Sequence, residues 1–145
     1  MPTLAGYIVW IRGVMGITTA QLPDNSPVIG YSFAIAEQIV NQSLIVISCT
    51  IYELAVYNLA GDNLLNFAPD QPGSNFFSTV RSDMNLTGFV AGVVAASGDE
   101  STNQTLEVPE AMKNLTFSDL QNLKTPYGRQ YLAFAQMYGA MWGIS

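Results

Sequence analysis

Ser43-Leu-Ile-Val-Ile-Ser-Cys-Thr-Ile-Tyr-Glu-Leu-Ala-Val-Tyr-Asn-Leu-Ala-Gly-Asp-Asn-Leu-Leu-Asn-Phe67 holds no proline and a single glycine, and whether it is helix or strand decides the fold. Ile45, Val46, Ile47, Thr50 and Ile51 are β-branched, stiff at χ1 and at home in a strand. The Glu-Leu-Ala-Val-Tyr-Asn-Leu-Ala run from Glu53 and the absence of Gly or Pro before Gly61 decide for one helix over 43–67. Its most apolar part, Leu44 to Ala60, carries Glu53 and Asn58 and is too short to span a bilayer. A buried core helix is expected, with the apolar flank including Cys49 as an inert buried thiol.

Working outward from it, Asn41 and Gln42 break a preceding helix over 26–41, opened by Ser26 as N-cap with Pro27 in the first turn. Ile29, Phe33, Ala36 and Val40 recur on one face of it. Before the loop Thr18 to Asn25, Thr3 caps a helix over 3–16 in which Leu4, Ile8, Ile11 and Met15 share a face. On the other side, Ala68 to Ser74 is a Pro/Gly loop, followed by a helix over 75–86 with Phe76, Val80 and Met84 in a row and Phe77 flanking it. The character then changes to small and β-branched residues around a polar turn, which predicts a β-hairpin over 88–108. A short helix over 117–123 follows. Thr125 and Pro126 open a last helix over 126–138, whose Tyr127, Tyr131, Phe134 and Tyr138 form one aromatic face of core type. The fold class is mainly α: one domain over 1–145, a small helical bundle with one β-hairpin and a C-terminal helix plus a short apolar tail.

The chain has 145 residues, 49% of them hydrophobic but only 11% charged, with a formal net charge of −6. A charged fraction this low, less than half the usual quarter, points to apolar faces covered by other subunits. There is no His and one Cys, so the commonest general base, the commonest zinc ligand and any internal disulfide are absent. The five basic residues, Arg12, Arg81, Lys113, Lys124 and Arg129, are scattered, whereas gripping duplex DNA needs a clustered positive surface. The first charge, Arg12, falls inside an apolar pattern, which does not read as a signal peptide.

Three acidic spots stand out: Asp99 with Glu100, Glu107 with Glu110, and Asp62 after Gly61 at a supposed helix end. They read as solvated turn acids, since a hydrolase needs two carboxylates held in a cleft with separated pKa values. No Ser-x-x-Lys spacing involves Lys113 or Lys124, and the glycines of 88–92 and at 98 form no phosphate loop. Arg129, near a helix start, is expected to pair with an acid. No catalytic residue, metal ligand or cofactor is assigned.

Three features in order resemble the head–tail connector proteins of tailed bacteriophages, also called adaptors or head-completion proteins. They are the helical stretch Tyr52 to Gly61, the small-residue strand entering a polar turn over Gly92 to Leu106, and Thr125-Pro-Tyr-Gly-Arg-Gln-Tyr-Leu-Ala-Phe-Ala-Gln-Met-Tyr-Gly139. The match covers roughly half of the chain. The resemblance implies a non-enzymatic structural subunit of the virion, assembled in the host cytoplasm. It would form a homo-oligomeric ring of on the order of twelve copies under the portal protein. That ring extends the DNA channel, lets genomic DNA pass without specific contact, offers a platform to a downstream tail or stopper protein, and involves no membrane.

On this basis Val93, Val94, Asp99, Glu100 and Leu106 of the hairpin are assigned to contact with a neighbouring subunit or tail component. Arg129 and Tyr131 of the last helix, with Met141, Trp142 and Ile144 of the tail, are assigned to docking on the portal or a neighbour. The alternatives are another virion subunit of tail-completion or stopper type, richer in strands, and an acidic-residue hydrolase using Asp99 or Glu107.

Overall fold

Ser48 divides the stretch on which the fold turns. The computed structural model describes residues 1–87 and 122–138 throughout, and the backbone of 96–98 and 103–105. In it the single helix expected over 43–67 is two: α3, Leu44–Ile47, and α4, Cys49–Phe67. Ser48 lies between them in extended conformation, and its Oγ accepts the backbone N–H of Ile51 at 3.3 Å as the N-cap of α4. The cause is local: three consecutive β-branched residues lose χ1 freedom in a helix, and a serine hydroxyl competes for a backbone N–H that a new helix leaves unsatisfied. The break also turns Val46 outward, at 86% exposure, and leaves Cys49 exposed instead of buried.

The remaining helices are α1, Leu4–Trp10, running on as a π-helical segment Ile11–Met15; α2, Pro27–Ile39; α5, Phe76–Asp83; and α6, Pro126–Met137. Thr3 and Thr125 cap α1 and α6 as expected, accepting from the N–H groups of Gly6 and Gly128 at 3.0 and 2.9 Å. Gly16, at φ +70°, supplies the left-handed residue that stops the first helix. Helix α2 ends at Ile39, short of 41, because Val40 is extended and the Asn41 side chain accepts the N–H of Ser43 in a turn of its own. For α5 the cap comes from the preceding loop: Asp70 accepts from the N–H of Phe77 at 2.7 Å, from that of Ser78 at 3.3 Å, and from the Ser78 hydroxyl.

Helix α4 is the axle of the fold. Ala55 through Asp62 are all buried, with α2 and α6 as the principal neighbours and α3 and α5 also packed on it. Burial all round is possible because small residues admit close approach: a Cβ on Gly61 would stand 2.9 Å from the Trp10 ring. An aromatic cluster ties the elements together. Tyr7 has ring centroids 6.2 Å from Trp10, 5.7 Å from Phe33 and 5.8 Å from Tyr57, while Trp10 meets Tyr127 edge-on at 5.5 Å. Ser32 Oγ donates to the Ile29 carbonyl, so the Tyr7 hydroxyl, 3.2 Å away, donates to Ser32 and satisfies both buried groups.

The expected face of α2 is the one buried: Ile29, Phe33, Ala36 and Val40. That of the first helix is rotated, since Tyr7 and Ile11 are fully buried while Leu4 is 43% exposed; the larger aromatic area goes inside. In α5, Phe77 is the buried residue, and Phe76, Val80 and Met84 flank it at partial burial. The aromatic face of α6 is core, with Tyr131 and Phe134 buried.

Mainly α describes the observed architecture, whereas the hairpin over 88–108 is not supported. Ala96–Gly98 pairs antiparallel with Asn103–Thr105 in the register Ala96 to Thr105, Ser97 to Gln104 and Gly98 to Asn103, three residues a side. The rest of 88–108, the greater part of the helix expected over 117–123 and the tail 139–145 lie outside the described residues.

Candidate functional site

Helix α2 is apolar on more than its buried face. Opposite Ile29, Phe33 and Ala36, it turns Tyr31, Ile35 and Ile39 to solvent at 69%, 50% and 53% exposure. These three recur every four residues, so they form one stripe along the helix. Phe67, the last residue of α4, stands out at 74%. Between the two helices runs an open groove of about 180 Å³ lined by Val28, Tyr31, Ser32, Ile35, Asn63 and Phe67, without a charged side chain. The hydroxyl of Ser32 is occupied inside the core, and the Asn63 Nδ2 is buried with no hydrogen-bond partner among the described residues. Large exposed apolar groups grouped in this way mark contact surfaces.

A second feature lies where α6 meets α4. Asp62, expected as a solvated acid at a helix end, sits within α4 at 2% exposure. The Thr125 hydroxyl, fully buried, donates to its Oδ1 at 2.5 Å while accepting the Gly128 N–H. Burial pushes the carboxyl up from 3.8 to about 6, against the lowering effect of the Thr125 hydroxyl. The approach is close: a Cβ on Gly128 would lie 2.1 Å from the Asn122 carbonyl oxygen.

The basic residues are used as staples. Arg12 donates to the carbonyls of Ile17 and Leu22 at 2.8 and 2.6 Å and pairs with Asp24, tying down the loop before α2. Arg81 donates to the carbonyls of Leu65 and Ala68, Lys124 to that of Asn85 at 3.0 Å, and Arg129 to that of Leu123 at 3.1 Å. Four of the five basic side chains thus hold backbone, and Lys113 lies outside the described residues. Arg129 caps a carbonyl where an acid was expected.

Of the residues assigned to interactions, Val93, Val94, Asp99, Glu100, Leu106, Met141, Trp142 and Ile144 lie outside the described residues, as do Glu107 and Glu110. Arg129 is exposed at the start of α6, and Tyr131 is 5% exposed, its ring given to the core instead of to a partner. Of the assigned set, only Arg129 and Tyr131 fall among the described residues. The groove residues were missed, although one signal was present: between Pro27 and Ile39 only Glu37 is charged, so α2 is apolar nearly all round. Among the described residues no group of three Cys, Asp or Glu side chains could hold a metal, and no helix is long and apolar enough to cross a membrane. Compared with protein-family models, with curated proteins and with solved structures, the chain matches none.

Proposed function

We propose that this chain is a non-enzymatic structural subunit of a tailed-bacteriophage head–tail connector, an adaptor that forms a ring beneath the portal and presents a platform to the tail. The observation that carries the reading is the uncharged face of α2 and α4, where Tyr31, Ile35, Ile39 and Phe67 are half or more exposed. A ring subunit has two like neighbours and two axial partners, and such contacts favour apolar and aromatic side chains over charge. The use of four basic side chains on backbone carbonyls also supports it. A net charge of −6 with few free cations suits a channel through which DNA slides without trading counterions for protein charge.

In this reading the segment 88–108, with Val93, Val94, Asp99, Glu100 and Leu106, contacts the adjacent subunit or tail component. The tail 139–145, with Trp142 as anchor, docks on the portal or a neighbour. The test is electron microscopy of the protein mixed with portal. Rings stacked on the narrow end of the portal are expected; a chain that stays monomeric and leaves the portal bare overturns the proposal. Truncation after Tyr138 should abolish stacking, and normal stacking of that truncation removes the tail from the interface.

A further inference from the structure

We propose that Asp62 is a proton-operated latch for the C-terminal helix: with its carboxyl neutral α6 docks on α4, and ionisation loosens that docking. The carboxyl is 2% exposed at the end of the buried run Ala55 to Asp62 of α4, and its side-chain partner among the described residues, Thr125, is the N-cap of the helix it would hold. The chain Asp62, Thr125 hydroxyl, Gly128 N–H therefore links the carboxyl directly to the first turn of α6. A Cβ on Gly128 would come within 2.8 Å of Asp62 Oδ1, so the first turn sits hard against the carboxyl.

No described cation compensates the charge. On the elements around Asp62, Arg12 is engaged with the Ile17 and Leu22 carbonyls and Asp24, and Arg81 with the Leu65 and Ala68 carbonyls. Lys124 reaches Asn85, and Arg129 reaches Leu123. The acids Glu37 on α2, Glu53 on α4 and Asp83 on α5, and the phenols Tyr127 and Tyr131 on α6, supply no positive charge either. Burial and the Thr125 hydroxyl are the two influences on the group, the first raising and the second lowering its affinity for the proton. An ionised Asp62 gains water only if α6 lifts, so loss of the proton favours lifting. Lifting also exposes Tyr131, Leu132, Phe134 and Ala135, so the latch shifts an opening equilibrium without opening the helix outright.

The test is native-state amide exchange of the full chain at about pH 5 and about pH 7.5, corrected for the intrinsic pH dependence of exchange. A carboxyl at about 6 when docked and 3.8 when hydrated makes the α6 opening equilibrium about tenfold larger at the higher pH. Amides of α2 should change less, and Asp62→Asn should reduce the α6 ratio to below about twofold. Equal protection of α6 at both pH values overturns the proposal. So does an equal rise in α2 and α6, which means that α6 opens only with the whole domain, or an Asp62→Asn variant with the ratio of the parent. Should that variant fail to fold, carbon-13 titration of the Asp62 carboxyl in the unaltered protein decides: a midpoint near 6 supports the latch and one near 4 refutes it.

Discussion

Replacing Thr125 by valine changes one buried hydroxyl to a methyl and leaves the shape of the site nearly intact. Two bonds are lost, the 2.9 Å bond from Gly128 N–H and the 2.5 Å bond to Asp62. The cap is worth about 1 kcal/mol. The bond to the carboxyl contributes about 1 kcal/mol while Asp62 is neutral and about 2 kcal/mol once it is ionised. Thr125→Val should therefore lose about 2 kcal/mol at pH 5 and about 3 kcal/mol at pH 7.5, or melting decreases near 4–8 °C and 6–12 °C for a domain of this size. The sign of the parent's own pH dependence follows from the same group. Its folded value of about 6 lies above the unfolded 3.8, so the contribution of Asp62 to stability is fully present below 3.8 and falls by up to about 3 kcal/mol as pH rises through about 6. Removing the hydroxyl raises the carboxyl further and extends that fall to higher pH. Calorimetry at the two pH values, with Thr125→Ser as the control that keeps the hydroxyl, measures all of this. A loss under about 1 kcal/mol at both pH values would refute the reasoning, because water would then replace the hydroxyl at no penalty.

Tyr31→Ser combined with Phe67→Ser alters side chains that are 69% and 74% exposed, so the monomer should melt within a few degrees of the parent. Association seen by sedimentation, alone and with portal, should weaken sharply; unchanged assembly would remove the α2–α4 face from the contacts. Cys49 is exposed, so a thiol reagent should label it once per chain under native conditions as fast as in denaturant, and a lag until unfolding would contradict its position. The Asp70 carboxyl is held below its usual range by the Ser78 hydroxyl and then by the Phe77 and Ser78 N–H groups, with a contribution from Arg81. Its support of α5 is therefore present above the ordinary carboxylate value and disappears as pH falls through the lowered one. Asp70→Asn should speed amide exchange at Phe77 and Ser78 near neutral pH and leave it unchanged in strong acid, while parent-like exchange at neutral pH would rule out the cap.

Periodicity located the helices because an amphipathic stripe is a property of neighbours in sequence. The buried set Ile29, Phe33, Ala36 and Val40, the threonine caps at 3 and 125 and the stop at Gly16 all act within a turn or two of chain. Local reading failed at Ser48, where the run from Glu53 and the absence of Gly or Pro before Gly61 favoured one long helix and a serine hydroxyl started a second one. It failed again for the first helix, because Leu4, Ile8, Ile11 and Met15 are as regular a stripe as the Tyr7 and Ile11 face that packs; the choice between them was made by Phe33 and Tyr57 on other helices.

Helical class, scarcity of charge and the lack of histidine or paired cysteines are therefore written in the chain, and they narrow function before any fold is known. Where the scarce polar groups go is not. Asp62 reads as a surface acid until Thr125, 63 positions away, covers it, and only the packing of α6 on α4 removes the water that would have kept it charged. Tyr31, Ile35 and Phe67, no more apolar than their buried neighbours, are left outside. Burial depends on what comes to lie beside a residue in space, and for these groups the neighbour that decides it belongs to a distant part of the sequence.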